Sequence, residues 1–138
     1  MSEIFVDTGA FVALVDSDDR NHGRAKRFAR GLPKKGRSLV TSTYVIDESI
    51  TLIRLKVSHA AAVGFGDRLF RARWCRIVDV DEPLRHAAWD VFVRYEDQVF
   101  SFTDCTSFAL MRSMGLTEAF AFDGDFGAAG FTRLPPLT

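Results

Sequence analysis

The 138-residue chain has only two cysteines, Cys75 and Cys105, and no apolar run close to the roughly 18 residues that a membrane helix needs. The cysteines have neither metal-site spacing nor the density of a disulfide framework, which argues against a small disulfide-stabilised scaffold. The N-terminus carries Glu3 and Asp7 and lacks a basic segment, so we expect no signal peptide. These absences predict a reduced, cytoplasmic protein without a membrane segment.

Acidic residues are missing from residues 20–46, although the net charge of the whole chain is zero. This stretch holds eight of the eighteen basic residues, and a second basic group lies within residues 68–76. A local excess of cations favours polyanions such as nucleic acid. Arg20, Arg24 and Arg27 are the candidate contacts, and a solvated helix face is the alternative interpretation.

The hydrophobic content of 47% predicts a globular protein, and the length indicates a single domain over residues 1–138. Short apolar runs alternate with helical patterns, which favours an α/β fold with a mostly parallel sheet of about five strands and helices on both faces. The predicted strands are 4–6, 38–41, 76–80, 118–122 and 131–134. The predicted helices are 10–15, 21–30, 43–57, 59–71, 81–95 and 101–114.

Four carboxylates occupy unusual positions relative to these elements. Asp7 and Asp123 each follow a buried strand, and Glu48 and Asp104 lie near the starts of helices. Strand ends and following helix starts meet at one edge of a parallel sheet, so we expect the four acids to converge. Simpler interpretations remain for three of them: a solvated edge of an apolar stripe for Glu48, a capping box with Ser101 for Asp104, and an Asp-Gly turn for Asp123.

Four carboxylates in one crevice would repel one another and raise one another's pKa. A divalent hard cation relieves this repulsion, and Mg²⁺ or Mn²⁺ prefers carboxylate and water oxygens. The acids therefore predict a site for Mg²⁺ or Mn²⁺.

The motifs Phe5-Val6-Asp7-Thr8-Gly9-Ala10, Asp47-Glu48, Ser101-Phe102-Thr103-Asp104 and Phe122-Asp123-Gly124-Asp125-Phe126 occur in this order. Together they resemble the PIN domain, and specifically the VapC-like toxins of bacterial and archaeal toxin–antitoxin pairs. The resemblance implies a three-layer sandwich around a five-stranded parallel sheet, a ribonuclease site that uses Mg²⁺ or Mn²⁺, a homodimer, an RNA substrate and a cognate antitoxin.

In this resemblance the catalytic acids are Asp7, Glu48, Asp104 and Asp123. Asp7 and Asp104 would hold the metal, with Asp123 contributing through water, while Glu48 would orient the attacking water or accept its proton. Thr8, Thr103 and Asp125 are the supporting residues implied. Asp125 is as readily an exposed turn acid.

Other interpretations of the same residues stay open. The run Val6–Ala10 also matches an aspartic-protease signature, although such proteases are mostly β-sheet and need strands before the aspartate. A catalytically silent PIN-like module for RNA binding or partner assembly is a second alternative. For the antitoxin, Phe11, Val12, Phe28 and Leu52 could line a groove for an amphipathic helix, unless they belong to the core.

Overall fold

A computed structural model describes residues 3–136 as a five-stranded, entirely parallel sheet with helices packed against it. The strand order is β3-β2-β1-β4-β5, so β1 lies at the centre. The strands are β1 (Glu3–Val6), β2 (Ser38–Ser42), β3 (Arg76–Val78), β4 (Glu118–Phe120) and β5 (Thr132–Leu134). The predicted α/β class and parallel sheet are confirmed.

Seven α-helices and one 3-10 turn, Pro33–Lys35, connect the strands of residues 3–136. Ser42, Ser58, Asp81 and Ser101 each accept a backbone N–H at a helix start, as their positions in the sequence predict. The helices are α1 (Thr8–Val15), α2 (His22–Gly31), α3 (Thr43–Lys56), α4 (His59–Phe70), α5 (Glu82–Arg94), α6 (Phe102–Ser113) and α7 (Asp125–Ala128).

The central strand is covered on both faces, because Ile4, Phe5 and Val6 are all fully buried. Much of the phenylalanine content fills the layers around it. On one side of the sheet the rings of Phe108 and Phe126 meet edge-on, with their centroids 5.1 Å apart. On the other side the ring centroids of Phe11 and Phe65 are 5.0 Å apart. One continuous hydrophobic core therefore runs through the described residues.

Three predicted strands are shorter in the structure, and two of them, β3 and β4, end two residues earlier than predicted. The Val80 amide donates to Thr43 Oγ1 at 3.1 Å, which draws the chain away from the sheet after Val78. β4 ends at Phe120, and the Phe122 carbonyl accepts a hydrogen bond from the Arg133 side chain. Both changes lie at the sheet edge where the candidate acids occur.

The structure decides two of the alternatives left open by the sequence. Phe11 and Val12 belong to the core, with 0% and 4% of their surface exposed, so the core interpretation holds for both. The aspartic-protease interpretation also fails, since Asp7 follows the central strand of a parallel sheet and precedes a helix. None of the helices in residues 3–136 has the length and apolar character to cross a membrane.

Candidate functional site

Asp7 and Asp123 leave two neighbouring strands on the same edge of the sheet. β1 and β4 are parallel, with Val6 opposite Phe120. The Asp7 amide donates to the Phe120 carbonyl at 3.1 Å and so extends the pairing by one residue. The two carboxylates therefore start from fixed, adjacent points of the backbone.

The backbone around Asp7 leaves its carboxylate available for other partners. The residue lies at the N-cap of α1, and its carbonyl accepts the amides of Ala10 and Phe11, yet its side chain makes no capping hydrogen bond. Thr41 Oγ1 donates to the Val6 carbonyl at 2.8 Å inside the core, which fixes the chain just before Asp7. Asp7 is only 4% exposed and forms no ion pair within residues 3–136, so burial is imposed on an acid without a paired cation.

Asp104 caps its own helix and also faces the site. Its amide donates to Ser101 Oγ at 2.9 Å, and its Oδ2 accepts the Ser101 amide at 3.1 Å, which completes the predicted capping box. Oδ1 has no such structural hydrogen bond in the described residues. The two interpretations of Asp104 are therefore compatible, because one oxygen caps the helix and the other is available to a ligand.

Glu48 lies at the border of the buried face of α3 and not within it. Leu55, two turns of α3 after Glu48, is 76% exposed, so the predicted apolar stripe does not continue that far. The buried face consists of Val45, Ile46, Ser49 and Ile53. This rotation leaves Glu48 half-buried and directed at the pocket beside α1.

Asp123 is held at the rim by its neighbours on α7 and β5. Its Oδ1 accepts the Asp125 amide at 3.0 Å. Arg133 Nη1 donates to the carbonyls of Phe122 and Asp123 at 2.8 and 2.9 Å. The guanidinium therefore fixes the turn that presents Asp123 to the pocket.

All four predicted acids line one pocket of about 340 Å³. The predicted support Thr8 lines it too, whereas Thr103 lies in a neighbouring pocket that shares Glu48, and Asp125 lines neither. The full set around the acid pocket is Asp7, Thr8, Gly9, Val12, Asp19, Glu48, Leu52, Lys56, Ser101, Asp104 and Asp123. We refer to it as the carboxylate pocket.

The acids perturb one another's ionisation. Burial, followed by the charges of Asp123 and Asp104, raises the pKa of Asp7 well above its usual range. Desolvation raises the pKa of Asp104 to about 6, against the opposing hydrogen bond from Ser101. Asp123 is exposed at the rim, yet partial desolvation still raises its pKa, with Asp125 adding to the shift and Arg133 opposing it. Without a metal, the pocket therefore disfavours the ionised form of these three carboxyl groups.

The pocket fits a hard cation that brings its own water. No group of three or more His, Cys, Asp or Glu side chains in residues 3–136 is arranged to hold an ion unaided. Mg²⁺ commonly keeps several waters and uses one or two carboxylates plus substrate phosphates, so such a closed cage is not required. Among the described residues Thr8 Oγ1 is buried without a partner, and a Cβ on Gly9 would meet nothing within 4 Å. Open space and an unpaired hydroxyl therefore adjoin the acids.

The three candidate RNA-binding arginines lie beside the pocket and not in it. Arg20 is exposed in the turn that follows Asp19, a pocket residue. Arg24 donates to the Pro136 carbonyl at 3.0 Å, and its guanidinium carbon lies 5.7 Å from the centroid of the Phe122 ring. Arg27 is exposed one turn further along α2. Their role in RNA binding stays a prediction.

Sequence reasoning missed three residues at the site. Asp19 and Lys56 line the carboxylate pocket, and Arg133 holds the turn before α7. For Lys56 a signal existed, because Glu48, Leu52 and Lys56 recur every four residues along one helix face. Asp19 and Arg133 reach the site through loop packing and strand pairing, for which the sequence offers no comparable period.

Comparison with known proteins agrees with this geometry. The family model described as "PIN domain" matches residues 4–132. The chain belongs to the PIN-domain family. A curated relative, the 23S rRNA-specific endonuclease VapC20 of Mycobacterium tuberculosis, is 40% identical over 133 residues, covering 96% of this chain and 98% of the relative.

Solved PIN-domain structures share the architecture. The crystal structure of M. tuberculosis VapC20, described as a sarcin–ricin loop cleaving toxin, superposes with a TM-score of 0.86 at 40% identity, covering 94% of this chain and 96% of that one. FitAcB from Neisseria gonorrhoeae gives a TM-score of 0.70 at 17% identity, covering 96% and 97%. VapBC2 from Rickettsia felis, bound to a DNA fragment from its promoter, gives 0.69 at 10% identity with the same coverage. The two distant structures support the fold alone.

Proposed function

We propose that this PIN domain is the toxin of a toxin–antitoxin pair and a metal-dependent endoribonuclease that cleaves the sarcin–ricin loop of 23S rRNA. The observation that carries the proposal is the convergence of Asp7, Glu48, Asp104 and Asp123 on one pocket of a PIN domain. The substrate is taken from the 40% identical relative, whose name specifies 23S rRNA and whose crystal structure specifies the sarcin–ricin loop.

The acids have distinct roles in this reaction. Asp7 and Asp104 would hold the Mg²⁺ or Mn²⁺ ion, and Asp123 would contribute through water from the rim. A bound divalent ion supplies Lewis-acid polarisation of the scissile phosphate and makes water a better nucleophile. Thr8 Oγ1, buried without a partner in the described residues, donates to a phosphate oxygen that enters the pocket.

Glu48 is the general base of the proposal. It makes no hydrogen bond or ion pair within residues 3–136, and it lies where the carboxylate pocket meets the neighbouring pocket lined by Tyr44 and Thr103. A half-buried carboxylate at that border can accept a proton from the attacking water and release it to solvent. Of the supporting residues, Thr103 lines the neighbouring pocket together with Glu48, and the Asp125 amide donates to Asp123 Oδ1 at 3.0 Å.

The partners follow from the same family. The antitoxin is a second protein that occupies the toxin until it is released, and the homodimer is the assembly expected from the resemblance. Because Phe11 and Val12 are buried, the partner helix must use exposed or half-buried side chains elsewhere, and Phe28 and Leu52 remain available among the four originally considered.

Cleavage of a defined RNA tests the function. A hairpin with the sarcin–ricin loop sequence is incubated with purified protein in MnCl₂, in MgCl₂ and in EDTA, beside a hairpin of scrambled loop sequence. We expect a single metal-dependent cut in the first hairpin, absent in Asp104→Asn. Tight binding without cleavage in either metal would instead identify a silent RNA-binding module. Cleavage of both hairpins would retain the nuclease and remove the substrate assignment.

A further inference from the structure

Lys56 is the only cationic residue among those that line the carboxylate pocket. It lies in the last turn of α3, two steps of four residues beyond Glu48, and Leu52 occupies the step between them. One wall of the pocket is therefore a single helix face that presents a carboxylate at one end and an ammonium at the other.

The ammonium is not committed to a structural role. Within residues 3–136 it forms neither an ion pair nor a hydrogen bond, although Asp7, Asp19, Glu48, Asp104 and Asp123 line the same pocket. Its side chain is exposed. A long cation that remains unpaired near several acids is available for an anionic ligand.

A cation at the mouth of the carboxylate pocket favours the approach of RNA, which is a polyanion. Five carboxylates line the pocket, and one divalent ion compensates for only part of their charge. The field at the mouth therefore opposes the approach of a polyanion unless a fixed positive charge offsets it. The arginines of α2 and Arg133 lie outside the pocket lining, which leaves Lys56 as the one cation among the lining residues.

We propose that Lys56 is a positioning residue that binds a non-scissile phosphate of the RNA and so orients the backbone across the acids. The inference rests on the proposed ribonuclease function. Glu48 and Lys56 are eight residues apart in α3, which is about 12 Å along the helix axis. The ammonium therefore contacts the RNA backbone away from the scissile phosphate. Lys56 therefore acts on substrate position and not on proton transfer to the leaving group.

The test compares Lys56→Met and Lys56→Arg with Lys35→Met. Lys35 is an exposed lysine in the turn before β2, at the opposite edge of the sheet, and matches the change in charge. Binding of the sarcin–ricin hairpin is measured by fluorescence anisotropy from 50 to about 300 mM KCl with Ca²⁺ as the divalent ion, and cleavage kinetics are measured with Mn²⁺.

For Lys56→Met we expect roughly tenfold weaker binding and a matching rise in KM, with kcat and its pH profile unchanged. The slope of log Kd against log salt should fall by about 0.7 to 0.9, the contribution of one phosphate contact. Lys56→Arg should restore the slope, and Lys35→Met should leave it at the wild-type value.

An unchanged slope and KM in Lys56→Met would overturn the proposal, as would an equal loss in Lys35→Met, which shows a nonspecific charge effect. A fall in kcat with an altered pH profile would assign Lys56 to proton transfer instead. Failure of the wild type to cleave the hairpin contradicts the ribonuclease function, and the binding slopes still decide whether Lys56 contacts phosphate.

Discussion

Asp7 and Asp123 lie at the exits of adjacent parallel strands, where the Asp7 amide donates to the Phe120 carbonyl at 3.1 Å and Val6 is paired with Phe120. Burial raises the pKa of Asp7, and the negative charge of Asp123 raises it further. The fold therefore places two carboxyl groups with raised pKa side by side, and a divalent cation would stabilise the charged form of both.

Replacing Asp7 by Asn should stabilise the metal-free protein and abolish cleavage. The amide removes a buried, unfavourable charge while keeping the shape of the side chain, so we expect a gain of about 0.5–2 kcal/mol in the free energy of unfolding. Cleavage should fall by about two orders of magnitude or more, because a proposed metal ligand is lost. Thermal unfolding in EDTA at pH 7.5, beside the hairpin assay, measures both. Loss of stability together with activity would mean that Asp7 supports the fold.

The stability of the metal-free protein should decrease as the pH rises from about 4 to above 6. The folded-state pKa of Asp7, Asp104 and Asp123 is raised, to about 6 for Asp104, so in this window the folded protein binds more protons than the unfolded chain. The stabilisation is fully present below the unfolded pKa and is lost as the pH passes the folded pKa. The midpoint of thermal unfolding is measured at pH 5.0, 6.0 and 7.5 in EDTA.

Addition of MnCl₂ should raise the midpoint most at pH 7.5, where the acids are deprotonated and free to bind the ion. Asp104→Asn serves as the control variant, with a weaker dependence on both pH and metal. A metal effect that is equal at pH 5.0 and pH 7.5 would contradict binding to these carboxylates.

The sequence predicts the parts of this site that depend on local rules. Ser101 and Asp104 form a capping box because both partners lie within one helical turn. Asp7 and Asp123 converge because parallel strands end at one edge. The face of α3 that becomes buried was not predictable in the same way, since the small Ser49 occupies a buried position that its polarity alone would not suggest.

Other parts of the site depend on long-range packing. Asp19 reaches the pocket because the turn between α1 and α2 folds back, with His22 Nδ1 at 2.7 Å from the Ala13 carbonyl. Arg133 acts on the Asp123 turn because β5 pairs with β4. Neither relationship has a signature in the spacing of residues, so only the tertiary structure reveals it.

Replacing Arg133 by Met should reduce cleavage more than it reduces stability. The guanidinium donates to the carbonyls of Phe122 and Asp123, and its loss frees the turn that presents Asp123. We expect a roughly 10–100-fold weaker metal affinity, the usual effect of losing a supporting contact, and a matching loss of cleavage at limiting MnCl₂. Titration of activity with MnCl₂ provides the measurement.

Arg112→Met is the matched control, because Arg112 donates to the Ala129 carbonyl at 3.3 Å beyond the end of α7, away from the acids. It should lower stability slightly and leave the metal dependence unchanged. Equal metal dependence in the two variants would show that the Asp123 turn is held without Arg133.

Two buried threonines next to Asp7 should respond in opposite ways to replacement by Val. Thr41 Oγ1 donates to the Val6 carbonyl at 2.8 Å, so Thr41→Val leaves a buried acceptor with one partner fewer and should cost about 1–3 kcal/mol of stability. Thr8 Oγ1 is buried without a partner in the described residues, so Thr8→Val should be neutral or stabilising. Urea unfolding in EDTA compares the stability of the two variants.

If Thr8 binds a substrate phosphate, Thr8→Val should lower cleavage roughly 10-fold or more despite its intact fold. Wild-type activity in Thr8→Val would remove that residue from the site, and equal destabilisation by both changes would mean that Thr8 Oγ1 has a structural partner.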